Sequence, residues 1–324
     1  MNTFKDLQNL IETEISKILP ETTPPGLYEP IRYTLNLGGK RVRPILCLAA
    51  CNLFQDDISK AIPAALALEV FHNFTLLHDD VMDNSPVRRG QATVHKKWNV
   101  NTAILSGDTM FVKSCDLMLL TPESKLKDAL KIFNKTALEV CEGQQYDMDF
   151  EDQETVELTE YLQMIKLKTS VLVAASLKIG AIIGGADKKQ ADDLYNFGIA
   201  LGMAFQLQDD FLDTFGSKAE FGKRIGGDIV ENKKTFLLLT ALQKADSETK
   251  SEIKEMISTE KLQDEEKIAR MTAIFENLEI RESTVGEISK YHNEALLILK
   301  TLEIDENKKQ LLYDFSNLLQ TRNN

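Results

Sequence analysis

The chain has 324 residues, 43% hydrophobic and 27% charged, with a net charge of −12. This is enough apolar material for a sizeable core, and the negative balance excludes a general nucleic-acid binder, so any basic cluster is read as a local site. Cys47, Cys51, Cys115 and Cys141 show no CxxC spacing, which argues against a zinc site or disulfide framework and fits a reducing cytoplasm.

Helix is expected almost throughout. Acids interrupt the apolar residues of the first helix, over 5–19, so it does not resemble a secretory signal. Pro and Gly cluster at 20–26, 38–44, 86–90, 184–185 and 216–227, and these clusters mark the loops. Between them, helical spacing of apolar residues recurs over 61–83, 126–148, 190–213 and 284–302. The stretch 171–186 is apolar or small on nearly every side, which predicts a buried central helix. No run of 18 consecutive apolar residues occurs, so no membrane span is expected. Residues 244–270 are highly charged and read as a solvated helical hairpin. No alternating strand pattern and no dividing linker is evident, so the prediction is an all-α fold with residues 1–324 forming one domain.

Two copies of DDxxD stand out, Asp79-Asp80-Val81-Met82-Asp83 and Asp209-Asp210-Phe211-Leu212-Asp213, each within an apolar stretch. On a helix, Asp79 and Asp83 share a face, as do Asp209 and Asp213. Clustered carboxylates without His or Cys partners ask for a hard cation, and Mg²⁺ shared with a phosphate oxygen suits them. A single DDxxD could equally be a solvated acidic turn; two in apolar surroundings favour metal binding.

The cations lie in GGKRVRP at 38–44 and in Arg88-Arg89-Gly90. A Gly-rich turn lets backbone approach an anion, while Lys and Arg supply charge-assisted hydrogen bonds. Acids for metal-bound phosphate and separate cations suggest two phosphorylated substrates, one held through Mg²⁺ and one directly.

The ordered set GGKRVRP, LLHDDVMDNSPVRRG, LKTS, FQLQDDFLD and GGDIVENKKT resembles the trans-isoprenyl diphosphate synthase family. The resemblance implies an isoprenoid synthase fold of about ten core helices around a deep central cavity, usually in a homodimer. It also implies a short-chain prenyltransferase that joins isopentenyl diphosphate to an allylic diphosphate. By matching motif positions, Asp79, Asp83 and Asp209 would be direct ligands of three Mg²⁺, supported by Asp80, Asp210 and Asp213. Lys40, Arg43, His72 and Arg89 match the isopentenyl diphosphate site. Arg88, Lys168, Lys233 and either Lys223 or Arg224 match contacts to the allylic diphosphate, and Thr169 and Gln206 match groups near the reacting carbon. A lone His in an apolar helix is more often a satisfied core residue; His72 is assigned to the site by its family position.

Helical geometry places Phe74 about 7.5 Å and Phe71 about 12 Å before Asp79 along the axis, where bulk would stop a growing tail. Both rings could instead be ordinary core. With Thr75 beside Phe74 and no insertion in the motif, the pattern resembles geranylgeranyl synthases of simple type, implying a product of C15 to C20. Two other classes remain open. A terpene cyclase or diphosphate lyase would not need GGKRVRP and Arg89, and a non-catalytic subunit of a heteromeric synthase would typically lack one of the acidic motifs.

Overall fold

The computed structural model of the protein describes residues 3–18, 23–216, 225–259 and 262–320. Their regular structure is helical apart from one minimal hairpin, and the chain folds as two compact units.

The first unit comprises Met1–Lys135, Ala175–Tyr195 and Glu303–Leu312. It contains α1 (Phe4–Ile18), α2 (Pro25–Asn36), α3 (Val42–Asn52), α4 (Ile62–Met82), α5 (Val94–Lys97) and α6 (Val100–Met118). Buried Leu7, Ile11 and Ile15 recur every four residues and give α1 one apolar face. The start of α6 is set by Asn99, whose side chain accepts the Thr102 N–H at 2.8 Å. Strands β1 (Val87–Arg88) and β2 (Gln91–Ala92) pair with Arg88 opposite Gln91. At their turn Arg89 and Gly90 have φ of 53° and 75°, the left-handed pair that a two-residue type I′ loop requires. The sequence predicts only a loop here, because two-residue strands are too short to display alternation.

Part of α9 (Val171–Gly184) belongs to this unit. A Cβ on Gly180 would lie 2.0 Å from the Cys47 carbonyl oxygen, and one on Gly184 would lie 2.6 Å from that of Cys51. The two glycines, one helical turn apart, therefore let the backbones of α9 and α3 approach closely. The expectation of a buried central helix holds: Leu172, Ala174, Leu177, Ile179 and Ala181 are all buried. The run Leu158–Gly184 has the length and apolarity of a membrane span, but most of it is buried inside the protein.

The second unit comprises Thr136–Ala174, Asn196–Leu302 and Tyr313–Asn324. It takes the later part of α7 (Glu123–Asp152), all of α8 (Leu158–Ile165), a π-helical turn at Lys166–Ser170 and the later part of α10 (Lys188–Phe215). It continues through α11 (Gly227–Val230), α12 (Phe236–Lys244), α13 (Ser247–Ser258), α14 (Asp264–Asn277) and α15 (Ile280–Thr301), and holds the end of α16 (Glu306–Gln320). A capping box between Glu157 and Glu160 starts α8. The core gathers Leu207, Phe211, Leu237, Ile253, Met271 and Phe275. Within the charged 244–270 stretch α13 and the start of α14 are helical as expected, with Ile253 and Met256 turned into that core.

Candidate active site

In the first unit, α4 carries the first acidic motif to its C-terminal end. Asp80 is only 5% exposed, Asp79 is half-buried and Asp83 is exposed. The β1–β2 hairpin brings back Arg88, whose Nε donates to Asp80 Oδ1 at 2.7 Å and whose Nη2 lies 3.4 Å from Asp79 Oδ2. Burial pushes the Asp80 carboxyl up to about 6 despite the pull of Arg88. The two acids that alternate on one helix face, Asp79 and Asp83, are thus the more accessible pair, while Asp80 serves as an inward anchor.

The cations gather around a histidine. Arg43 Nη1 donates to His72 Nε2 at 3.0 Å; a guanidinium has only donors, so Nε2 accepts and the ring proton sits on Nδ1. Burial, followed by the charges of Arg43, Arg89, Arg88 and Arg41, holds the imidazole well below its usual value and therefore neutral. Burial, aided by the like charge of Arg89, pushes Arg43 down to about 10, while Glu69 opposes the shift. Arg89 is likewise lowered, chiefly by burial, and its Nη1 donates to the Gly38 carbonyl. Lys40 is exposed on the same loop. Such crowding of like charge creates a demand for an anion.

Beside the motif lies an aromatic cluster. The Phe71 ring centroid is 5.6 Å from that of Phe74 and 5.4 Å from that of Phe133. Phe74 lies 5.5 Å from Phe111 and 4.8 Å from His78. Phe71 is buried and Phe74 half-buried, and the Thr75 hydroxyl is turned to the His72 carbonyl at 2.8 Å. Phe111 and Phe133 come from α6 and α7; their places beside Phe74 and Phe71 left no mark in local sequence.

In the second unit, the π-helical turn carries Lys168 and Thr169. Such wide turns recur at functional sites. A Cβ on Gly143 would sit 2.3 Å from the Lys168 nitrogen, and one on Gly202 would sit 2.6 Å from Ser170 Cα, so α7 and α10 press backbone-close on the turn. Lys168 Nζ meets Asp147 Oδ2 at 2.6 Å. Thr169 Oγ1 donates to Gln206 Oε1 at 3.0 Å, and Gln206 Nε2 donates to Asp210 Oδ1 at 3.2 Å. The Tyr161 hydroxyl donates to Asp210 Oδ2. Burial, together with the charge of Asp228, pushes Asp210 up to about 8 despite these two donors. Asp213 is buried and accepts the Asp228 backbone N–H at 2.9 Å, while Asp209 is half-buried. Lys233 is exposed, 3.1 Å from Glu231 Oε2. Lys223 and Arg224 lie outside the described residues.

Sequence reasoning missed Tyr161 and Asp147. Gly143 and Asp147 stand one helical turn apart in α7, and a glycine within a long helix is the signal that could have drawn attention there.

Among the described residues no three His, Cys, Asp or Glu side chains converge on a preformed metal cage. The donors nevertheless fit Mg²⁺, a hard ion usually held by one or two carboxylates and completed by water and substrate phosphate. Asp79, half-buried, and Asp83, exposed, are spaced for that role, and Asp209 is the most accessible acid of its motif.

Acid pairs on two helices and cations crowded around a neutral histidine, on an all-helical frame, suit a protein that handles diphosphates. The profile of the polyprenyl synthetase family matches residues 24–275. A geranylgeranyl diphosphate synthase of Methanosarcina mazei is 40% identical over 243 residues, 74% of this chain and 75% of that protein. A geranylfarnesyl diphosphate synthase of Natronomonas pharaonis is 39% identical over 252 residues, 72% of this chain and 74% of that protein. A crystal structure of a geranylgeranyl pyrophosphate synthase superposes with a TM-score of 0.95 at 46% identity, covering 99% of both chains. The chain belongs to the polyprenyl synthetase family.

Proposed function

We propose that the chain is a short-chain trans-prenyltransferase that condenses isopentenyl diphosphate head-to-tail with an allylic diphosphate, giving a C15 to C20 product. Geranylgeranyl diphosphate, C20, is the length its relatives favour. The carrying observation is the cluster of Arg43, His72 and Arg89, a direct diphosphate site additional to the two acidic motifs. A cyclase or lyase has no second diphosphate to place there, and a non-catalytic subunit has no need of both intact motifs.

In this reading Asp79, Asp83 and Asp209 hold Mg²⁺, three ions in all, with Asp80, Asp210 and Asp213 as supports. Bound Mg²⁺ supplies positive charge that neutralises the leaving diphosphate. Arg88, Lys168 and Lys233 hold the allylic diphosphate, with Lys223 or Arg224 as a further contact. This requires Arg88 and Lys168 to exchange their present carboxylate partners for phosphate oxygens. Lys40, Arg43, His72 and Arg89 orient isopentenyl diphosphate so that its double bond attacks the allylic carbon, and the departing diphosphate takes the proton. The Thr169 hydroxyl and Gln206 amide, already bonded to each other, offer uncharged dipoles that stabilise positive charge without capturing it. Phe74, Phe71 and Thr75 limit the tail.

We further propose that the two compact units work as one domain, which the family profile supports by spanning residues of both. The active form is a homodimer: Ile104, Leu105, Val112 and Leu119 are exposed on or beside α6, an apolar surface suited to a second copy. All four cysteines are free thiols, which supports a reducing cytoplasmic setting. The test is to supply Mg²⁺, isopentenyl diphosphate and each allylic primer in turn and to weigh the products by mass spectrometry. A C20 product is expected; cyclised hydrocarbon, or no condensation with any primer, would overturn the reading.

A further inference from the structure

Arg41, in the middle of GGKRVRP, does not point where its neighbours do. It is 3% exposed, and its backbone is left-handed at φ 49° and ψ 39°, a region that residues with a Cβ avoid. Its side chain is saturated inwards. Arg41 Nε donates to Glu12 Oε1 at 2.8 Å, Nη1 to Glu69 Oε1 at 2.8 Å, and Nη2 to the Leu35 carbonyl at 2.6 Å. Asn73 Nδ2 adds a donor to the same Glu69 oxygen at 3.0 Å. These bonds account for the guanidinium's buried polar groups and leave it unfit to hold a substrate.

The partner Glu12 belongs to α1, and α1 grips the turn a second time. One helical turn before Glu12, Gln8 Nε2 donates to the Gly39 carbonyl at 3.3 Å. On the other side of the glycine, Arg89 occupies the space a side chain would need, since a Cβ on Gly39 would lie 2.9 Å from Arg89 Cζ. Gly38 is held by Arg89, Gly39 by Gln8, and Arg41 by Glu12 and Glu69. The unusual backbone of this turn is thus fixed at three of its four residues by side chains from outside the loop.

We propose that Gln8 and Glu12 of α1, together with Arg41, are positioning residues of the isopentenyl diphosphate site: they lock the turn that carries Lys40 and Arg43. The inference rests on the reading of that site given above. It makes the N-terminal helix, whose sequence shows only an apolar packing face, a working part of substrate binding. Because a locked loop costs less order on binding than a free one, loosening it weakens affinity without touching the ligand.

The experiment compares Gln8→Ala, Glu12→Gln, Arg41→Lys, Arg41→Met and the Glu12→Gln/Arg41→Met double variant. Kinetics with both substrates, melting temperatures and calorimetric titration with isopentenyl diphosphate are read for each. Arg41→Met should raise KM for isopentenyl diphosphate roughly tenfold while the allylic KM stays within about twofold, since a charge-assisted network is lost at one site only. Arg41→Lys should recover part of the loss, because it keeps the charge and gives up the planar fork. The double variant should be no worse than Arg41→Met, because Glu12 acts through Arg41. Equal rises in both KM values would show a merely structural role and overturn the proposal. So would unchanged isopentenyl diphosphate affinity in both Glu12→Gln and Gln8→Ala, two half-buried positions that keep the test alive if Arg41→Met fails to fold. Should the parent bind isopentenyl diphosphate yet never extend it, the functional reading falls and the calorimetric affinities alone decide this one.

Discussion

The two DDxxD motifs are nearly interchangeable as text and differ in physical setting. Their middle acids are equally buried, Asp80 and Asp210 both being 5% exposed. Asp80 is matched by a full charge, Arg88, whereas Asp210 is matched by a phenol and an amide, Tyr161 and Gln206. Their acidities differ too: burial pushes Asp80 up to about 6 against the pull of Arg88, and burial together with the charge of Asp228 pushes Asp210 up to about 8. Their last acids diverge as well. Asp83 is exposed just past the end of α4, while Asp213 is buried against the Asp228 backbone N–H. A buried middle acid can be matched by a countercharge, as Asp80 is, or by neutral donors, as Asp210 is.

If both motifs nevertheless serve the metal, Asp79→Ala and Asp209→Ala should each cost about 10² or more in turnover. Circular dichroism and melting should stay close to the parent, because each residue is only half-buried. A near-normal rate in one variant at saturating Mg²⁺ would leave the metal role to the other motif alone.

The motifs also differ in what precedes them. Phe74 stands five residues before Asp79 and Phe71 eight before, whereas the equivalent positions ahead of Asp209 are Ala204 and Leu201. At these two positions α4 carries aromatic rings with which to stop a tail, and α10 does not. Phe74→Ala should therefore lengthen the product by one isoprene unit, as burying each added methylene is worth about 0.8 kcal/mol. Extension should then halt at the ring of Phe71, against which Phe111 and Phe133 both pack. If the melting temperature falls but the product mass matches the parent's, Phe74 is ordinary core and the asymmetry lies elsewhere.

Much of this was legible in sequence because it depends on local period. Helical spacing located α1, α4, α10 and α15 within a few residues, and Asp209 and Asp213 share α10 as expected, while Asp83 stands one residue past the end of α4. What stayed hidden depends on residues distant in the chain. Arg41 and Arg43 are the same amino acid two positions apart, and the half-buried Glu12 and the buried Glu69 decide which one turns inward. The π-helical turn at Lys168 sits where Gly143 and Gly202 let two other helices come close. The neutral partner Tyr161 lies 49 positions from Asp210, so no motif could contain both.

Tyr161→Phe and Gln206→Leu sharpen the contrast at smaller cost. Removing the Tyr161 hydroxyl leaves a buried carboxyl oxygen without its donor, a loss of about 1–3 kcal/mol that should appear as a lower melting temperature. The same loss should barely respond to added salt, because the lost donor is neutral and the site is buried. Arg88→Met, which strips the charged partner from Asp80, should instead give a destabilisation that depends on ionic strength. Identical salt responses in the two variants would erase the distinction drawn between the motifs.

The smallest effect tests whether charge crowding governs the first unit's site. His72 lies among Arg43, Arg89, Arg88 and Arg41, and burial and these charges hold it well below its usual value of 6.5. The unfolded chain therefore takes up the proton before the folded one does. The linked stability is fully present above about pH 6.5 and is lost as pH falls from there toward the folded value, by at most about 1.4 kcal/mol per pH unit. Melting curves of the parent and His72→Asn between about pH 7.5 and pH 5 should accordingly diverge, the parent losing more on the acid side. The variant need not be more stable at neutral pH, where the imidazole still accepts from Arg43. Curves that remain parallel over the whole range would mean that the protonated ring finds an acceptable place among the arginines, and that like-charge crowding there is weaker than the geometry implies.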